Sequence, residues 1–256
     1  MSPKGSGDDA MSDGKAPLDP LLELSEVADS LEQARAAVDR TLWHRALRNH
    51  GPDVATEVSL RCAVASATLE GVEYDLDEVR AGTVTDPIVQ GALRVATELP
   101  GLVDVWPKSP RQALARLHLL AARDIAAPDE LGRPCLDAAG SQRLAALCDL
   151  VTSGSTLPAA LVAAVVHGEL LALRPFPHAG GIVARAAARL TLAARGLDPR
   201  LLIAIDNGHL RRGPEYTGGS LAFATGTPDG LRSWLKHYGQ ALTRGAETTT
   251  NICNRI

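Results

Sequence analysis

No stretch of this 256-residue chain holds the ~20 consecutive apolar residues that a membrane span requires, so no membrane partner is expected. The first residues lack the apolar centre of a secretion signal and stay small and polar up to Pro17. Cysteine is scarce: Cys62, Cys135, Cys148 and Cys253 are scattered without any Cys-x-x-Cys spacing. That argues against a zinc or disulfide framework and suits reduced thiols in the cytoplasm. Basic residues are not in excess either. With 26 Lys and Arg against 30 Asp and Glu, the net charge is −4 and the pI about 6.0, which gives no general attraction to nucleic acid. The Val/Ile alternation of strands is almost missing, and 201–205 is the one short strand-like run.

What is present is helical. Apolar residues recur at three- and four-residue steps over 21–38, 54–69, 88–99, 112–122, 141–150, 157–173, 180–195 and 231–242. Pro and Gly punctuate the joins, as at Gly51-Pro52, Ser109-Pro110 and Gly132-Arg133-Pro134. The fold class expected is all-α, a helical bundle large enough to bury a real core. Residues 1–17 cannot bury apolar area and are expected to be disordered, with Met1 and Met11 both candidate starts. Residues 247–256 lack an amphipathic period and are expected to fray.

One segment carries chemistry. In Arg174-Pro-Phe-Pro-His-Ala-Gly-Gly-Ile-Val-Ala-Arg185 a helix stops at a Pro-Phe-Pro turn, crosses Gly180-Gly181 and restarts. The first N–H groups of the second helix are left to face an anion, and Arg185 adds a planar fork of donors about one turn on. The plain alternative is that two glycines only let two helices cross closely. A second segment, Ser66-Ala-Thr-Leu-Glu70-Gly71, closes the helix begun near residue 54. Gly71 suits the left-handed position that ends a helix. Glu70 there opposes the helix dipole and wants a cationic partner, unless it is simply exposed to solvent.

Together these two segments resemble the Fic (Fido) family, whose motif reads His-Pro-Phe-x-Asp/Glu-Gly-Asn-Gly-Arg-x-x-Arg. Its self-inhibited members carry Ser/Thr-x-x-x-Glu-Gly/Asn on a preceding helix. Pro175, Phe176, Gly181 and Arg185 match the motif; Arg174 stands at the catalytic histidine and His178 at the metal-binding acid. Ala179-Gly180 replaces Gly-Asn, and Ile182 replaces the first arginine. The resemblance implies a Fic-like bundle, with helices at 18–100, a core at 101–246 and a flap, in some members a small β-hairpin, at 127–134. It implies ATP with Mg²⁺ as ligand, a protein as target, and a pairing of Glu70 with Arg185 that blocks the γ-phosphate. Ser66 and Glu70 are then regulatory, Gly180, Gly181 and Arg185 hold the anion, and Arg174 and His178 occupy the catalytic positions.

The substitutions change the chemistry. A guanidinium stays protonated and cannot serve as the general base that the motif histidine provides. Imidazole suits zinc better than Mg²⁺. His178 with His167 or His118 is a conceivable metal set, though no ligand spacing supports one. The functions open at this point are a binding or regulatory module without AMP transfer, a transferase with a rewired site, and weak residual AMP transfer. A DNA-binding regulator using Arg185, Arg189 and Arg195 is disfavoured by the acidic charge. The run from Asn207 to Tyr216 is expected to be a solvated loop.

Overall fold

The computed structural model describes residues 18–256; the disorder expected for 1–17 lies outside them. A 3₁₀ turn at Asp19–Glu23 leads into twelve helices among the described residues: α1 Val27–Leu42, α2 Ala46–Asn49, α3 Gly51–Leu69, α4 Leu76–Arg80, α5 Pro87–Leu102, α6 Pro110–Ala122, α7 Ala138–Thr152, α8 Ala159–Leu173, α9 Gly180–Ala194, α10 Ile205–Leu210, α11 Gly213–Ala224 and α12 Pro228–Cys253. Among the described residues no helix is long and apolar enough to cross a membrane.

The paired helices α8 and α9 form the centre. α8 is apolar nearly all round, with Ala160 through Gly168 buried, which is what a helix enclosed on every side requires. Around this pair, α12 packs on α1, α10 and α11, while α3 packs on α5 and α10. Caps follow sequence rules. Asp75, Asp86, Asp137 and Thr227 each accept backbone N–H bonds at the starts of α4, α5, α7 and α12.

Three local expectations are corrected. The apolar run at 201–205 is not a strand; no residue among those described is. The buried Asp198 carboxylate accepts the Leu202 and Ile203 N–H groups at 2.8 and 2.9 Å, and Thr249 Oγ1 accepts that of Ala204 at 3.1 Å. With its donors taken by side chains, the run stays extended without a partner strand. The chain end does not fray at 247: α12 continues to Cys253, burying Thr249, Ile252 and Cys253. The stretch from Asn207 to Tyr216 is no solvated loop, because α10 and the start of α11 bury Asp206, His209 and Tyr216.

Candidate functional site

α3 ends in a Schellman turn. Gly71 has φ +90°, its N–H bonds to the Thr68 carbonyl at 2.9 Å, and the Val72 N–H reaches back to Ala67 at 3.1 Å. Glu70 is the C-cap of that helix. The carboxylate gains nothing from its own helix dipole, and it lies instead against the start of α9, where the dipole has the favourable sign.

α9 begins where a left-handed Ala179 (φ +52°) turns the chain, and no side chain caps it. Its opening N–H groups, from Gly180, Gly181 and Ile182, precede the first intrahelical bond, Val183 N–H to the Ala179 carbonyl. The Glu70 carboxylate sits over this point. A Cβ built on Gly181 would lie 2.1 Å from Glu70 Oε1 and 3.0 Å from Arg185 Nη1. Position 181 must therefore be glycine for the carboxylate to rest there.

Arg185 is 2% exposed and held on all sides by the chain itself. Its Nε donates to Ser66 Oγ at 2.8 Å, and its Nη2 donates to the Ser66 carbonyl at 2.9 Å and to Glu70 Oε1 at 2.6 Å. Nη1 donates to the Tyr216 hydroxyl at 3.0 Å, and that hydroxyl lies 3.1 Å from His167 Nε2. Because the Tyr216 oxygen accepts from arginine, its own proton goes to His167, which is then a neutral acceptor at Nε2. Burial works against the charged guanidinium, but the oxygens of Tyr216, Glu70 and Asp206 outweigh it and raise its pKa. Burial, reinforced by the Arg185 charge, pushes His167 well below the ordinary imidazole value.

Beside this clamp opens a cleft of about 590 Å³. Glu70, Arg174, Gly180 and Gly181 give it a polar end; Leu170, Phe176 and Leu221 are among the apolar residues of its wall. Arg174 is exposed at the C-cap of α8, left-handed at φ +47°, and makes no ion pair among the described residues. Two non-glycine residues in the left-handed region, Arg174 and Ala179, thus bracket the turn, a strain that gathers at functional sites.

The structure brings together Ser66, Glu70, Gly181 and Arg185, with Gly180 and Arg174 on the same cleft. It sets His178 apart, beside the 127–134 segment, with Nε2 3.9 Å from Glu130 Oε2. The segment that follows 127–134 runs beside the motif, where the Cys135 N–H donates to the Pro175 carbonyl at 2.8 Å. The 127–134 segment itself is built of turns and extended chain, so the β-hairpin expected as one form of it is not formed. Among the described residues no group of three His, Cys, Asp or Glu is placed to hold a metal. His118 is buried, stacked on Phe176 at 4.2 Å. Ile182, which stands at the motif's first arginine, is 2% exposed and packs into the core. Arg189 faces inward as well, 3.9 Å from Asp206.

Mg²⁺ fits these residues poorly. Glu70 is the one carboxylate on the cleft wall, and it is bound to Arg185. Sequence reasoning missed Tyr216 and His167 as supports of Arg185. The one available signal was an apolar α8 carrying a lone histidine, which needs a partner inside the core.

No protein-family model matches the sequence, and no curated protein does. Solved structures do. A Fic family protein from Desulfovibrio desulfuricans G20 aligns over 91% of this chain and 76% of its own, with a TM-score of 0.74 and 18% identity. Residues 134–508 of Fic-1 from C. elegans align over 92% and 75%, with a TM-score of 0.70 and 16% identity. A variant of that fragment with a glutamate changed to glycine gives a TM-score of 0.68 at 15% identity, covering 92% of this chain and 75% of that one. The chain has the Fic fold.

Proposed function

We propose that this protein is a divergent Fic-fold binding or regulatory module. Its cleft accepts the phosphates of a nucleotide when Glu70 leaves, and it does not carry out ordinary AMP transfer. The observation that carries this reading is the Glu70 carboxylate resting over Gly181 while bonded to Arg185. An anionic side chain has taken the seat where a ligand phosphate would meet the start of α9. Arg174 in place of the base, and a wall poor in oxygen ligands, support the loss of transfer chemistry. A general base contributes ~10²–10⁴-fold to rate, so its removal alone suppresses turnover. The buried thiols of Cys62, Cys148 and Cys253 are unpaired and suit a reducing cytoplasm.

Calorimetric titration with ATP, ADP and AMP, with and without Mg²⁺, tests the reading on the native chain and on Glu70→Gly. Weak native binding that tightens at least ~10-fold in the variant is expected; a factor of ten is ~1.4 kcal/mol. Equal affinities in both would overturn it. Labelled ATP with cell lysate should leave no labelled protein band.

One observation favours a second reading, a transferase with a rewired site. His178 Nε2 lies 3.9 Å from Glu130 Oε2, beyond hydrogen-bond reach but close enough for a small side-chain turn to join them. A carboxylate so joined orients an imidazole for proton transfer. A labelled band that disappears with His178→Ala would establish it over the first.

A further inference from the structure

α11 separates two cavities. Ser220, Leu221 and Ala224 face the cleft described above, whereas Glu215, Gly218 and Gly219 line another of about 420 Å³ closed by α12. At 100° per residue these two sets fall on opposite faces of α11.

The second cavity is cationic. Arg232, Lys236 and Gln240 project into it from α12 at four-residue spacing, and Arg212 joins from the start of α11. Three cations thus face one carboxylate, Glu215, which pairs with Arg212 at 3.3 Å. Arg232 also meets Asp229 at 3.2 Å, and Lys236 meets Glu26. Both of those carboxylates are exposed and off the cavity wall, where solvent screens them. The positive end of the α11 dipole has the same sign. A Cβ on Gly218 would meet nothing within 4 Å, so space stands open above that backbone.

At the cavity base lies an incomplete hydrogen-bond set. His237 is 3% exposed, its Nε2 is 3.0 Å from His209 Nδ1, and its own Nδ1 has no partner. Nε of Arg212 is buried and unpartnered too. When His237 Nε2 accepts from His209, its Nδ1 carries the proton, which makes two buried donors without acceptors beside a cationic hollow. We propose that this cavity is a second anion site, built for a small phosphomonoester and independent of the Glu70 cleft. A dianion there accepts from Arg232, Lys236 and the buried donors, and no metal or base is required. Burial and the Arg212 charge keep His237 neutral down to about 4, so the arginines and the lysine supply the charge at neutral pH.

Amide and imidazole NMR of the full chain, titrated with inorganic phosphate and with O-phosphoserine, tests the site; the two arms separate a free ion from an ester. Saturable shifts at Gly218, Gly219 and His237 are expected, with the ester binding tighter if the 420 Å³ hollow selects for more than charge. The double variant Arg232→Gln/Lys236→Gln should weaken binding at least ~10-fold, and Glu215→Gln should tighten it; such a factor equals ~1.4 kcal/mol. Arg244→Gln, at an exposed pair with Glu247, should change nothing. Silent glycine amides, or an affinity indifferent to both the double variant and Glu215→Gln, would overturn the proposal. Should the double variant fold poorly, Glu215→Gln decides alone.

Discussion

The Glu70 carboxylate stands 2.6 Å from Arg185 Nη2 and directly over the Cα of Gly181, so one side chain at the end of α3 occupies the start of α9. The pair is unequal in exposure. Arg185's side chain is 1% exposed and Glu70's 22%, and the arginine keeps Ser66 and Tyr216 when the carboxylate is gone. Glu70 is thus the movable half and Arg185 the fixed half.

Gly181→Ala should expel the carboxylate, because the new methyl falls on Oε1, and it should also press on Arg185 Nη1, 3.0 Å away, the nitrogen that donates to Tyr216. Alone it should destabilise the protein, and in a Glu70→Gly background it should cost much less. The coupling expected in a double-mutant cycle is about 0.5–3 kcal/mol, read from urea unfolding. Additive effects would show that Glu70 does not rest on the glycine in solution.

Tyr216→Phe deletes an acceptor for buried Arg185 and a donor to His167 in one step. A loss of about 1–3 kcal/mol is expected from the guanidinium N–H left without a partner. Loosening Arg185 should also weaken any nucleotide binding gained by Glu70→Gly. A Phe variant as stable as the native chain would mean that water replaces the hydroxyl.

Stability should fall on acidification before the carboxylates titrate. Burial is the first cause of the low pKa of His167, His209 and His237, and for His237 the fall is from 6.5 to about 4. Between those two values the unfolded chain takes up a proton that the native chain refuses, so stability is lost as pH drops. His237 alone accounts for about 3 kcal/mol at ~1.4 kcal/mol per unit. Asp198 and Asp206 act in the opposite sense: burial raises their pKa, which favours the native state as pH falls toward 3.8. Their effect blunts the lower end of the curve. His237→Asn should flatten the dependence of unfolding free energy on pH between 7 and 5, and an unchanged slope would show that this histidine titrates normally.

Legibility divides along physical lines. The amphipathic helices and the Glu70–Arg185 pairing were readable because each rests on local period or on one dipole argument, and the motif placed the two residues in one family pattern. The run at 201–205 misled because apolar β-branched residues announce burial, while its backbone partners, Asp198 and Thr249, are polar side chains with no periodic signal. Ile182 misled differently. Motif alignment gave it the place of an arginine, yet the third position of α9 points into the core. The buried His and Tyr partners of Arg185 come from α8 and α11, and neither helix reveals in sequence which neighbour it meets.

Restoring the chemistry therefore calls for fewer changes than the motif suggests. Ile182→Arg would place a charge in a site 2% exposed, among residues such as Cys62 and Leu99, and should unfold the protein or nearly so. The remaining set is Arg174→His, His178→Asp, Ala179→Gly and Gly180→Asn, combined with Glu70→Gly. Three of these fit their backbone. Histidine is among the residues enriched in the left-handed region that Arg174 occupies, glycine relieves the φ of +52° at Ala179, and a Cβ at Gly180 meets nothing within 4 Å. This five-fold variant should fold, bind ATP–Mg²⁺ better than the native chain and label itself from ATP. Single changes should do little, since groups that act as a unit give non-additive effects. Tighter binding without labelling would show that Arg174→His and His178→Asp do not restore the transfer chemistry. A folded variant with neither gain would leave the glycine turn as a packing device for α8 and α9.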